Sequence, residues 1–156
     1  MTTNLSLYTV PTAWLIALAP RAYSLSTYNQ YSAYTKEAAG RTTLRTPRAF
    51  AGIAKDDASI PALYRERIVW AENASLNGLE NLGFFAAAVA AGNAAGLDVA
   101  LLNRLSVAYV LSRVLYNVVF VRNDTNQFVP LRTGVFIVGT LINIGLFVLA
   151  GRRVNE

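Results

Sequence analysis

Four long apolar stretches account for most of this 156-residue sequence. They lie at about 5–28, 62–92, 98–122 and 130–151, and each reaches the roughly 20 residues that a helix needs to cross a bilayer. Charged residues make up only 15% of the chain, whereas a soluble domain usually carries about 25%. We therefore predict an all-α, multi-pass integral membrane protein in which residues 1–156 form a single domain, a four-helix bundle.

The sequence contains neither cysteine nor histidine. This excludes disulfides, thiolate nucleophiles, histidine bases and metal sites built from these two residue types. There is also no P-loop, dinucleotide fingerprint or carboxylate cluster, so we predict no metal site. The basic segment lacks the interleaved aromatic residues of a nucleic-acid surface, and we expect no nucleic-acid partner.

The basic residues are distributed unevenly among the connections between these stretches. Nine lie in or beside the first and third connections: Lys36, Arg41, Arg45, Arg48, Lys55, Arg65, Arg67, Arg122 and Arg132. Three lie on the opposite side: Arg104, Arg152 and Arg153. The positive-inside rule therefore predicts that residues 29–61 form a cytosolic surface loop with short helical pieces, and that both termini lie across the membrane from it.

The second apolar stretch carries a polar face. Asn73, Asn77, Glu80 and Asn81 follow a spacing of i, i+4, i+7 and i+8, which places them on one side of a helix. Such amides can join helices by hydrogen bonds within a membrane or can bind a polar ligand. The face therefore indicates either a helix contact or a site.

Arg113 lies in the interior of the third stretch, on the same helical face as Tyr109, Tyr116 and Phe120. An arginine within a bilayer costs from about 2.5 kcal/mol upward and almost always finds a partner. We predict that Arg113 pairs with Glu80, within the protomer or across an adjacent subunit. Arg21, near the end of the first stretch, is expected to extend to the membrane interface.

These motifs resemble the MAPEG family, the membrane-associated proteins in eicosanoid and glutathione metabolism. The run NASLNGLENLGFFAAAV at 73–89 is similar to the family's second helix. The pattern R-x-x-Y-x-x-x-F at 113–120 is similar to its third-helix signature, and P-L-R at 130–132 opens a last apolar helix as the family does. With the four-stretch layout, the resemblance covers nearly the whole chain.

The resemblance implies a homotrimer, in the endoplasmic reticulum if the source is eukaryotic, with glutathione bound between subunits near the cytosolic side. Asn77, Glu80, Arg113 and Tyr116 would bind the tripeptide, and Arg132 would stabilise its thiolate. The implied function is a microsomal-type glutathione transferase, or a related isomerase, acting on lipophilic electrophiles from the bilayer.

The sequence departs from the family pattern at two aromatic positions. Active members usually have tyrosine where Phe120 stands, and the eicosanoid branch has another near Phe136; both hydroxyls are missing here. A non-catalytic membrane scaffold or binding protein that retains the fold is therefore a second hypothesis. A transporter or channel subunit is the weakest hypothesis, since no inverted repeat is evident.

Glu80 and Arg113 also fit a structural ion pair, and Arg132 fits an interfacial anchor.

Overall fold

A computed structural model describes residues 3–33, 47–122 and 129–156. Over these ranges the chain is helical without any strand, which confirms the predicted all-α class. The five helices are α1 (Ser6–Tyr31), α2 (Phe50–Asp56), α3 (Ala62–Ala94), α4 (Val99–Val121) and α5 (Val129–Val154). A single 3-10 turn, Pro47–Ala49, precedes α2.

The four long helices form a bundle in which α3 contacts each of the other three. Their shared core is the set Ala13, Phe85, Ala88, Val89, Leu102, Tyr109 and Leu146, to which every long helix contributes. Small residues bring α1 and α3 close together, because a Cβ added at Gly78 would lie 2.8 Å from the Cβ of Ala17. The two prolines of α1, Pro11 and Pro20, do not end the helix.

A tight turn joins α3 to α4. Gly96 has a φ of +68°, a left-handed conformation that glycine adopts without steric cost. Asp98 then caps α4, since its side chain accepts a hydrogen bond of 2.9 Å from the backbone N–H of Leu101. This turn fixes α3 and α4 as neighbouring antiparallel helices.

Residues 47–61, within the segment predicted as a surface loop, share a buried cluster with α1 and α3. α1 continues to Tyr31, and α2 places Phe50 and Ala54 in a buried cluster with Tyr28 and Ile68. Residues 47–61 of this segment thus pack against the bundle, and α2 is a short helix of the kind predicted there. Lys36, Arg41 and Arg45 lie outside the described residues, as do positions 123–128 of the connection between α4 and α5.

Two of the described helices, α4 and α5, are long and apolar enough to cross a membrane, by length and composition. At 26 and 33 residues, α1 and α3 are also long enough, but they carry more polar side chains. The four-span topology therefore remains a prediction.

Candidate functional site

A cavity of about 470 Å³ lies where α3, α4 and α5 meet. Its lining includes four residues that the sequence analysis selected, contributed by three different helices: Asn77, Glu80, Tyr116 and Arg132. The remaining lining residues are Asn73, Leu76, Phe120, Thr133 and Phe136. The cavity thus combines a carboxylate, a guanidinium, two amides and two phenylalanine rings.

A hydrogen bond between α3 and α4 holds the inner side of the cavity. The amide nitrogen of Asn77 donates to the hydroxyl of Tyr116 at 2.8 Å. Tyr116 is buried, and Asn77 also accepts, through its backbone carbonyl, a bond of 2.9 Å from the amide of Asn81. The polar face of α3 therefore serves both as a helix contact and as part of a site, because Asn77 joins two helices and also lines the cavity.

Arg132 lies in the first turns of α5, at the other side of the cavity. Its guanidinium carbon is 4.6 Å from the centre of the Phe120 ring, which is a cation–π contact. No carboxylate of the described residues forms an ion pair with Arg132. The charge therefore faces the cavity without a neutralising partner from the part of the chain described here.

Arg113 lies behind the cavity wall and is 4% exposed. Its guanidinium lies among three rings, at 5.1 Å from Tyr109, 5.3 Å from Tyr116 and 5.5 Å from Phe136. Its Nη2 donates to the backbone carbonyl oxygens of residues 135 and 136, at 3.4 Å and 3.3 Å. Two of those rings, Tyr116 and Phe136, also line the cavity. Of the five predicted site residues, Arg113 alone does not line it.

Comparison with protein-family models matched the MAPEG family over residues 5–152, nearly the whole chain. The chain belongs to the MAPEG family. Parallel comparisons with curated proteins and with solved structures gave no match. Membership places this MAPEG protein among membrane-associated proteins of glutathione and eicosanoid metabolism, in agreement with its two strongly apolar helices.

The predicted ion pair between Glu80 and Arg113 is not formed within this MAPEG protomer. Glu80 is exposed at the cavity, while carbonyl oxygens and aromatic rings surround Arg113. The prediction was wrong within the protomer because it considered only carboxylates as partners. Backbone carbonyls of α5 and three ring faces instead stabilise the charge. Pairing across a subunit boundary stays a prediction.

The buried carboxylate of α3 is Glu72, which sequence reasoning did not select. It forms an ion pair with Arg21 of α1 and accepts a hydrogen bond from the hydroxyl of Ser24. The expected extension of Arg21 to the interface stays a prediction, and its side chain is 31% exposed while it pairs with Glu72. Its other nitrogen donates to the carbonyl of Pro47 at 3.5 Å, and its guanidinium lies 6.0 Å from the Phe50 ring.

One feature of the sequence could have indicated the pairing of Glu72 with Arg21. Counted at 3.6 residues per turn, Glu72 points roughly 100° away from Asn73, so it lies off the polar face and needs a different partner. Arg21 is the one basic residue of the first apolar stretch, and the packing of α1 against α3 places it beside Glu72.

Proposed function

We propose that this MAPEG protein is a membrane-embedded, glutathione-dependent transferase or isomerase that acts on lipophilic electrophiles. The observation that carries the proposal is the cavity itself. Three helices bring Glu80, Asn77, Tyr116 and Arg132 around one space of about 470 Å³. This volume falls within the range of about 300–1,000 Å³ that small-molecule sites occupy.

The lining matches the functional groups of glutathione, which has two carboxylates, an ammonium, two peptide groups and a thiol. Glu80 is suited to the ammonium, and Asn77 with Tyr116 to a peptide or carboxylate group. Arg132 has no ion-pair partner among the described residues, so its charge is available to a thiolate. A nearby guanidinium favours the charged form of a thiol, which is the form that attacks electrophiles.

Arg113 supports the site from behind in this proposal. It fixes the rings of Tyr116 and Phe136 by stacking, and it adds positive charge close to the cavity. An anionic ligand is stabilised by this charge even where the guanidinium does not touch it.

We further propose the assembly that the resemblance implies: α1, α3, α4 and α5 all cross the membrane, the segment 29–61 is cytosolic, and three protomers associate. Asn73 and Glu80 are exposed in the central part of α3 and support a covering subunit, since polar groups facing lipid are costly. In a eukaryotic cell the membrane would be that of the endoplasmic reticulum. Mass measurement of the protein in mild detergent tests the oligomer, and a stable monomer contradicts it.

A non-catalytic binding protein is the second candidate function. The observation in its favour is that both cavity aromatics near Arg132 and Tyr116, namely Phe120 and Phe136, lack a hydroxyl. A hydroxyl there would add a hydrogen bond to a thiolate, worth about 1.5–3 kcal/mol for a charged acceptor. Glutathione binding without conjugation is the result that this alternative predicts.

The deciding experiment compares conjugation of glutathione to a generic aryl halide by the parent protein and by Arg132→Gln. The matched control is Arg122→Gln, which removes an exposed arginine that does not line the cavity. We expect conjugation in the parent and the control and its loss in Arg132→Gln. Equal rates in all three proteins would contradict a thiolate role for Arg132.

A further inference from the structure

A second cavity, of about 520 Å³, lies at the junction of α2 and α3, apart from the candidate glutathione site. It is lined by Lys55, Ala62, Arg65, Glu66, Val69 and Trp70. Two cations, one carboxylate and an indole ring therefore surround one space. None of these residues lines the first cavity.

The length of α3 places this second cavity at the membrane surface. Its 33 residues extend about 50 Å, whereas the hydrocarbon core of a bilayer is about 30 Å thick. The charged residues Arg65, Glu66 and Arg67 occupy the first turns of α3, so this end projects into the headgroup region. Trp70 follows within the next turn, at the depth where tryptophan is enriched at membrane interfaces.

Both cations of the cavity lack an ionic partner among the residues that the structure describes. Arg65 is oriented by a hydrogen bond of 3.5 Å from its Nη1 to the backbone carbonyl of Lys55. The nearby carboxylate of Asp57 is occupied by the hydroxyls of Ser32 and Ser59 and by the backbone N–H of Ser59. The lining itself holds two cations against the one carboxylate of Glu66, and the charge of Arg65 also acts on Asp57, so the cavity keeps a positive balance.

We propose that this cavity binds the headgroup of a membrane phospholipid that carries both a phosphodiester and an amine, such as phosphatidylethanolamine. Lys55 and Arg65 bind the phosphodiester, for which guanidinium and ammonium groups are suited. Glu66 binds the ammonium group of the same headgroup. Val69 and the ring of Trp70 contact the glycerol and the first carbons of the acyl chains. This binding does not depend on glutathione.

Titration of delipidated full-length protein with phosphatidylethanolamine, followed by native mass spectrometry, tests the proposal. We expect the double variant Lys55→Gln/Arg65→Gln to bind this lipid at least about tenfold more weakly, because it loses charge-assisted contacts. Arg104→Gln, which removes an exposed arginine elsewhere, is the matched control and should bind like the parent. Equal binding by the double variant overturns the proposal.

Two further arms identify the headgroup and its source. Glu66→Gln should lose the preference for phosphatidylethanolamine over phosphatidylglycerol while still binding phosphatidylglycerol; an unchanged preference contradicts the role of Glu66. Soluble glycerophosphoethanolamine should compete only weakly. Equal affinity for the soluble ester and the lipid would show a site for free phosphate esters and overturn the lipid assignment.

Fluorescence gives a readout at the site itself, because the chain has only two tryptophans, Trp14 and Trp70. In a Trp14→Phe background, phospholipid carrying bromine near the headgroup should quench Trp70 in the parent and not in the double variant. Unchanged melting temperatures of the variants exclude unfolding as the cause of lost binding. A glutathione titration of the same samples should be unaffected, which separates failure here from failure of the proposed function.

Discussion

Arg21 of α1 and Glu72 of α3 form an ion pair in which Glu72 is only 5% exposed. Glu72 also accepts a hydrogen bond from Ser24, so both of its oxygens are occupied. The pair therefore joins α1 to α3, and neither of its residues lines the candidate site. Among the described residues it is the ion pair that joins two helices, whereas Glu80 lines the cavity and forms no such pair.

Glu72→Ala should destabilise the protein by about 3–5 kcal/mol, because it leaves the Arg21 charge without its partner. The control is Glu80→Ala on the same helix, whose exposed side chain should change stability by no more than about 0.5 kcal/mol. Thermal melting in detergent measures both. Equal losses in the two variants would show that Glu72 is no more structural than Glu80.

The glycines of α5 offer a matched test of how Arg113 is held. A Cβ at Gly139 would lie 2.1 Å from Nη2 of Arg113, whereas one at Gly134 would meet nothing within 4 Å. Gly139→Ala should therefore displace the guanidinium and destabilise by about 1–3 kcal/mol. Gly134→Ala should be neutral or stabilising by up to about 1 kcal/mol, since alanine favours helix. If the two variants melt together, Arg113 does not occupy this position.

Restoring the missing hydroxyl tests whether the aromatic substitutions limit catalysis. Phe120→Tyr adds a hydrogen-bond donor beside Arg132, and we expect the conjugation rate to rise by roughly tenfold or more, since such bonds to charge are worth about 1.5–3 kcal/mol. Phe84→Tyr, on a ring outside the cavity, is the control. A rise in the control as well would point to a general effect of added tyrosine.

Asp57, in the turn between α2 and α3, gives a pH dependence with a definite sign. Desolvation raises the pKa of its carboxyl, but hydrogen bonds from Ser32 and Ser59 and the charge of Arg65 outweigh it, so the pKa is lowered on folding. The stability that Asp57 contributes is therefore present above the unfolded pKa of about 3.9 and is lost as pH falls through the lower folded value.

Melting temperatures of the parent and Asp57→Asn should accordingly differ at neutral pH and converge in acid. Exposed Asp56→Asn serves as the control for removing a carboxylate from the same turn. A difference between the parent and Asp57→Asn that stays constant down to strongly acid pH would contradict this assignment.

The helical spacing of residues was enough to predict which side chains of α3 share one face. Asn77 and Glu80 share one face because the α-helical period dictates it, and the cavity collects them with Tyr116 and Arg132. The cap at Asp98 depends on one local hydrogen bond, so it is a feature that the sequence alone can indicate.

The contacts of Arg113 and Arg21 could not be predicted from helical spacing. Both depend on which helices pack together and at what relative depth, and a period within one helix carries no information about that. The order of α2 against Tyr28 and Ile68 was missed for a similar reason, because its seven residues are too few to show a pattern. The charged residues were the most evident feature of that segment, so the apolar residues of α2 were not recognised as part of a cluster.

Isothermal titration of glutathione into the purified full-length protein tests the central claim most directly, with Arg132→Gln, Asn77→Ala and Arg122→Gln measured alongside. We predict saturable binding by the parent and by Arg122→Gln. Binding should be weaker in Asn77→Ala, which loses a cavity contact and the bond to Tyr116, while Arg132→Gln loses the thiolate signal in ultraviolet absorbance. Absence of heat and of thiolate absorbance in the parent at millimolar glutathione would contradict the account.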